Sequence, residues 1–154
     1  MDVVTADAPR GGIHERWVVF VAAEDRSGAL TALAETFSAR GVSFTSFTTL
    51  LVHDGVGVMS ITFAASERLA RVLVRTLDRL AVVRTTTLRH LRDDTVRATA
   101  VVSGADAAAR AAGAQQVAGT WVIAGAFPDV EDAIARVRAA GGRADAVTIL
   151  PPAD

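Results

Sequence analysis

Residues 17–23 read Trp-Val-Val-Phe-Val-Ala-Ala, an unbroken apolar run that stops at Glu24, Asp25 and Arg26. Such a run, bounded by charge on both sides, is the pattern of a strand buried on both faces. Beyond it, Leu30, Leu33, Ala34 and Phe37 recur at i, i+3, i+4 and i+7, which puts one apolar stripe on a helix. Ser27 is the expected N-cap of that helix and Gly41 the expected residue just past its end. Residues 42–52 are rich in Thr, Phe and Val, and in residues 56–64 Met59, Ile61 and Phe63 alternate with smaller side chains. Asp54-Gly55 between them is a hairpin turn signal. Ser66 and Glu67 open a second helix with Leu69, Val72, Leu73, Thr76, Leu77 and Leu80 on one face, and residues 82–90 return to β-type composition.

The order β-α-β-β-α-β is that of the ferredoxin-like arrangement, so an α+β fold is expected over residues 16–92. Its antiparallel sheet has both helices on one side, and the other side needs a second layer or a partner. Asp93-Asp94 marks a charged junction. After it, residues 95–103 alternate like a strand, and residues 104–114 are Gly/Ala-rich with weak helical periodicity. Residues 121–127 form an apolar strand and Pro128-Asp129 a helix start. Val130, Ala133, Ile134 and Val137 make an apolar face ending at Gly141-Gly142, and residues 146–150 close as a strand. Residues 93–154 therefore read as a smaller α+β domain, with a degenerate second copy of the first as one form of it. Residues 1–15 read as a short flexible leader without the basic start and apolar run of a secretory signal.

Composition closes several functional classes. There is no cysteine, hence no disulfide, thiolate metal site or thiol nucleophile, and a cytoplasmic setting fits best. The 16 basic residues, all arginine, are spread along a chain of net charge −1, which argues against nucleic acid as partner. No segment is long and apolar enough for a membrane span. His14, His53 and His90 lack the spacing of a shared metal site, no G-x-S-x-G elbow occurs, and residues 104–113 have neither a G-x-G-x-x-G pattern nor a Walker lysine. No catalytic residue and no metal ligand is assigned. Trp17 and Trp121 read as core or interface anchors.

Glu24-Asp-Arg-Ser-Gly-Ala-Leu30, set between a buried strand and an amphipathic helix, resembles the ligand loop of ACT domains. With Phe37-Ser-Ala-Arg-Gly-Val-Ser-Phe-Thr-Ser-Phe-Thr48 after it, the pattern is similar to the small regulatory subunits of acetolactate synthase, and Ser46 falls at a serine of that pattern. The resemblance implies a non-catalytic homodimer whose ACT sheets join edge to edge. An amino-acid-like effector would bind between Asp25, Arg26, Ser27, Gly28, Ala29 and Leu30 of one chain and the β2–β3 region of the other, including Ser46. It further implies a separate thiamine-diphosphate-dependent catalytic subunit, with the cofactor in that partner and none in this chain. Unpaired N–H groups and the dipole at the first helical turn suit a carboxylate, Gly28 allows close approach to its backbone, and Ala29 and Leu30 would supply an apolar wall. Asp25 departs from the Asn common at its position. An ionised Asp cannot donate to a carboxylate and repels it, which opens the loop to an amine or a different ligand. Arg26 would offset that charge or hold Asp25 in a salt bridge. Two alternatives remain: a stand-alone metabolite sensor or pathway-specific partner, and a small enzyme using His53, Asp25 or His90 as general acid or base.

Overall fold

The computed structural model describes residues 14–154, and the expected leader lies outside the described residues up to residue 13. The chain divides between His90 and Leu91 into two units. Leu91 is buried, and Arg92 donates to Glu131 at 2.7 Å, so both residues belong with the second unit, ahead of the Asp93-Asp94 step.

The first unit runs β1 (Glu15–Glu24), α1 (Ala29–Ala39), β2 (Phe44–His53), β3 (Val56–Ala65), α2 (Glu67–Asp78) and β4 (Val83–His90). Its sheet has the order β2-β3-β1-β4, with all neighbours antiparallel. Both faces of β1 are buried from Trp17 to Val21, as its composition predicts. Trp17, Val19, Val21 and Ala23 point to one face and pack with Leu33 and Phe37 of α1, Met59, Ile61 and Phe63 of β3, and Leu73 and Leu77 of α2. Phe37 meets Phe63 edge to face at 5.3 Å. Removing such a ring from water stabilises the fold by about 1.5–3 kcal/mol.

The two expected turns of this unit are present in detail. Asp54 (φ 50°) and Gly55 (φ 73°) form a two-residue hairpin loop with both φ angles positive, the requirement of a type I′ turn. Helix α1 ends in a Schellman motif, with Val42 N–H donating to Phe37 O and Gly41 N–H to Ser38 O, both at 3.0 Å. Ser66 caps α2 by accepting from Leu69 N–H at 3.2 Å. The buried stripe of α1 is Ala29, Leu33, Thr36 and Phe37, one step round from the expected stripe, so Leu30 faces outward at 54% exposure.

The second unit runs β5 (Arg97–Ser103), α3 (Asp106–Ala111), β6 (Gln115–Val117), β7 (Thr120–Ala126), α4 (Phe127–Ala139) and β8 (Arg143–Leu150). Its sheet order, β6-β7-β5-β8, is that of the first unit with each strand replaced by its counterpart. The smaller α+β unit is thus a second β-α-β-β-α-β fold. Buried Ala70, Leu73 and Leu77 of α2 have buried counterparts sixty residues on in Val130, Ala133 and Val137 of α4. Several details differ from expectation, among them two element starts and one short strand. Phe127 starts α4 instead of ending β7, with its N–H bonded to Val96 O at 2.7 Å. β8 begins at Arg143, and the three-residue β6 was not foreseen because Gln115 and Gln116 give no apolar alternation.

The β6–β7 hairpin also turns on two positive-φ residues, Ala118 (φ 49°) and Gly119 (φ 79°). Alanine in the left-handed region is strained by about 1–2 kcal/mol, partly offset in a glycine variant by the greater freedom of its unfolded chain. Ala118→Gly should therefore raise the unfolding free energy by about 0.5–1 kcal/mol in a denaturant titration. A variant no more stable than the parent contradicts this account of the turn.

Candidate functional site

Strand β1 delivers its last residue to a fixed place. Glu24 N–H donates to Val82 O at 2.8 Å and Asp25 N–H to Gly55 O at 2.9 Å, which ties the loop to both the α2–β4 connection and the hairpin turn. The chain then turns between Arg26 and Ala29, closed by Ala29 N–H to Arg26 O at 3.2 Å. Gly28 has φ 84° and ψ −8°, the values of the third residue of a type II turn. This turn overrides the expected cap. Helix α1 starts at Ala29 with Gly28 as its N-cap, and the Ser27 side chain makes no capping bond. A Cβ on Gly28 would meet nothing within 4 Å, so the glycine is required by its φ and not by crowding.

Among the described residues, the N–H groups of Gly28, Leu30 and Thr31 have no acceptor, because Ala32 is the first to reach back into the turn, to Gly28 O at 2.9 Å. These groups and the positive end of α1 form a donor set for an anion. Arg26 turns to Glu24, Nε to Oε2 3.1 Å, and not to Asp25. The exposed Asp25 carboxylate has no ion-pair partner among the described residues. Ala29 is buried in the core, which leaves Leu30 as the apolar side chain exposed beside the loop.

Ser46 lies elsewhere within the chain. Its Oγ bonds Thr62 Oγ1 at 2.6 Å, and Thr62 pairs with Val18, whereas the loop leaves β1 at Glu24 opposite Val56. Six residues of strand separate the two places by about 20 Å. The residues of the enzyme alternative are also dispersed. His53 bonds its neighbour Asp54 at 3.2 Å on an exposed turn, and His90 stacks on Trp17, centroids 3.9 Å apart, at the far end of β1 from Asp25. Among the described residues no group of three His, Asp or Glu side chains is arranged to hold a metal, and no helix is long and apolar enough to cross a membrane.

The equivalent loop of the second unit is shorter. β5 reaches α3 through Gly104 and Ala105 alone. Ser103 Oγ donates to Asp145 Oδ2 at 2.8 Å, and Arg143 Nε to Asp145 Oδ1 at 2.9 Å. Arg68, Arg71, Arg75 and Arg79 are all exposed and align along α2, at a spacing of three, four and four that is visible in the sequence.

No family model matches the sequence, and no curated protein matches it. Solved structures do. The crystal structure of the acetolactate synthase small subunit from Thermotoga maritima has a TM-score of 0.63 at 15% identity, over 90% of this chain and 98% of that one. The ligand-free regulatory subunit of aspartate kinase from Thermus thermophilus has a TM-score of 0.51 at 16% identity, over 82% and 92%. The chain has an ACT-type fold. At these identities the fold is what is shared.

The Ser103 hydroxyl, ahead of the Arg143 contacts, holds the Asp145 carboxyl below its ordinary value. A lowered folded-state pKa means that this interaction is complete above the unfolded value and is lost as pH falls through the folded one. In a carbon-detected NMR titration, Ser103→Ala should move the Asp145 carboxyl pKa upward. An unchanged titration would show that the hydroxyl does not set it.

Proposed function

We infer that this protein is a non-catalytic regulatory subunit that binds a small amino-acid-like effector at Asp25–Leu30 and modulates a separate, thiamine-diphosphate-dependent enzyme resembling acetolactate synthase. The observation that carries the reading is the loop, where free N–H groups of Gly28, Leu30 and Thr31 stand beside the unpaired Asp25 carboxylate and exposed Leu30. Together these can receive a carboxylate, an ammonium and an aliphatic side chain. Fold likeness over nearly the whole length of the small subunit from Thermotoga maritima supports the regulatory role. Thiamine diphosphate belongs to the catalytic partner on this reading, and this chain binds no cofactor of its own.

The reading includes a homodimer through β2, an edge strand carrying exposed Phe44, Leu51 and Val52. Exposed apolar edges of this kind invite pairing with another strand. Antiparallel pairing of two copies of β2 about Thr49 would set the partner's Ser46 opposite Val52, near the hairpin turn that holds Asp25. A dimer of that geometry gathers the dispersed site residues, and an effector bridging it would favour one arrangement of the two chains. A second reading follows from Asp25, whose free carboxylate favours an amine. In it the protein is a stand-alone metabolite sensor for an amine without a carboxylate.

A thermal-shift screen of amino acids and of amines without a carboxyl group separates the two readings. An effector at about 100 times its Kd adds about 2.7 kcal/mol, or roughly 5–10 °C for a chain of this size. Gly28→Asp, which places a carboxylate among the free N–H groups, should abolish the shift by an amino acid. Silence of both ligand classes, or a full shift in Gly28→Asp, would overturn the site. By size-exclusion chromatography the wild type should elute as a dimer and the Leu51→Glu, Val52→Glu double variant as a monomer. A monomeric wild type removes the β2 interface.

A further inference from the structure

The exposed face of α2 carries Arg68, Arg71, Arg75 and Arg79. At 100° per residue the four fall within about a quarter of the helix circumference and span about 16 Å of its length. Arg71 is engaged with Glu67, Nη2 to Oε1 2.8 Å, whereas the guanidinium groups of Arg68, Arg75 and Arg79 make no hydrogen bond or ion pair among the described residues. Beside the stripe, between α2 and β4, lies a groove of about 180 Å³ lined by Arg71, Val74, Arg75 and Leu88. Its floor is apolar and its rim cationic.

The second unit supplies an internal control. A groove of about 330 Å³ lies between α4 and β8, lined by Phe127, Glu131, Ile134, Ala135, Arg138 and Val147, with Ile134 in the position of Val74 and Arg138 as its one arginine. The counterparts of the four arginines, sixty residues on, are Pro128, Glu131, Ala135 and Ala139. The fold therefore packs its second helix without any of these arginines, and their alignment on α2 calls for a cause outside the packing.

We propose that the α2–β4 groove, with its arginine stripe, docks an acidic segment of a partner protein that inserts one apolar side chain between Arg71 and Arg75. Charge complementarity selects the partner, and arginine suits carboxylates because its planar fork donates to both oxygens at once. The apolar floor and the acidic Glu67 and Asp78 on the same helix favour a protein over a phosphate backbone. The proposal rests on the regulatory reading in so far as the partner is the regulated enzyme, and it locates the contact away from the effector loop.

The test is fluorescence anisotropy of the whole protein with a labelled helical peptide of about 12 residues, long enough to follow the stripe, built of glutamates around a central leucine. The wild type should bind it, and more weakly as salt is raised from about 50 to about 200 mM. Arg75→Glu with Arg79→Glu, exposed changes that should leave the melting temperature within a few degrees, should weaken binding by at least about tenfold. Replacing the leucine with serine should cost a comparable factor. Undiminished binding by the double variant overturns the proposal, as does no binding by the wild type. Tighter binding of a DNA duplex with the same arginine dependence reassigns the surface to nucleic acid and overturns it too. Effector thermal shift is read on the same samples. A shift without peptide binding rejects the docking surface alone, and peptide binding without a shift rejects the effector site alone.

Discussion

Pairing of β1 on both of its edges is the constraint on which the first unit depends. From Trp17 to Ala23 the strand is hydrogen-bonded to β3 on one side and β4 on the other, and its side chains are buried on both faces from Trp17 to Val21. Such a strand cannot slide, because a shift of one residue would exchange its two faces. Its end is therefore fixed. Glu24 and Asp25 extend the lock by giving their N–H groups to Val82 and Gly55, so the loop leaves the sheet at one place and in one direction. A site made of backbone N–H groups needs that, since donors held still by the fold lose little freedom when a ligand arrives.

Comparison of the two units shows what the fold requires and what it leaves open. Both have the same sheet order, and α1, α3 and α4 each end at a positive-φ glycine, Gly41, Gly113 and Gly141. They part at the connection from first strand to first helix. The second unit closes that position with its own chain. A Cβ on Gly142 would come within 2.8 Å of Ser103 O and of Ala105 Cβ, so the α4–β8 turn sits directly on the short β5–α3 link. In the first unit the longer link stands clear, with nothing within 4 Å of a Cβ on Gly28. One scaffold thus offers a loop in one copy and a filled corner in the other.

Legibility in the sequence followed contrast between apolar and polar positions. β1, the β2–β3 hairpin and α2 were readable because Trp17–Ala23, Asp54-Gly55 and the Ser66 cap each have few structural solutions. The second unit was read less completely. α3 is six residues of mostly alanine and β6 has two glutamines, so neither has a face for periodicity to detect. Ser27 misled for a different reason, since serine before a helix signals a cap equally whether the helix starts next to it or one glycine later. Residues 25–28 read as a loop in the sequence, but the distance from Ser46 to it depends on strand register, which becomes visible only once β2 and β3 are paired. The α2 arginines are scattered along the chain and align only around the helix, at spacings of three, four and four.

The physical question left by the two proposed surfaces is how one could influence the other. An effector shifts a partner's affinity only by its own difference in affinity for two arrangements of the chain, so the two surfaces must share something that can be arranged in two ways. The connection from α2 to β4 is the segment that touches both. Leu80 N–H bonds Leu77 O at the helix end, Val83 N–H bonds Leu80 O, and the carbonyl of Val82 between them accepts from Glu24, the last residue before the loop. The C-terminal end of the arginine helix is thus joined through these three backbone hydrogen bonds to Glu24, the residue before the loop. β1 cannot yield, being buried and paired, and the core side chains of α2 are packed against it. The connection between Asp78 and Val83 is therefore the backbone link between the two surfaces, and a coupling between them would have to show itself as two arrangements of that connection.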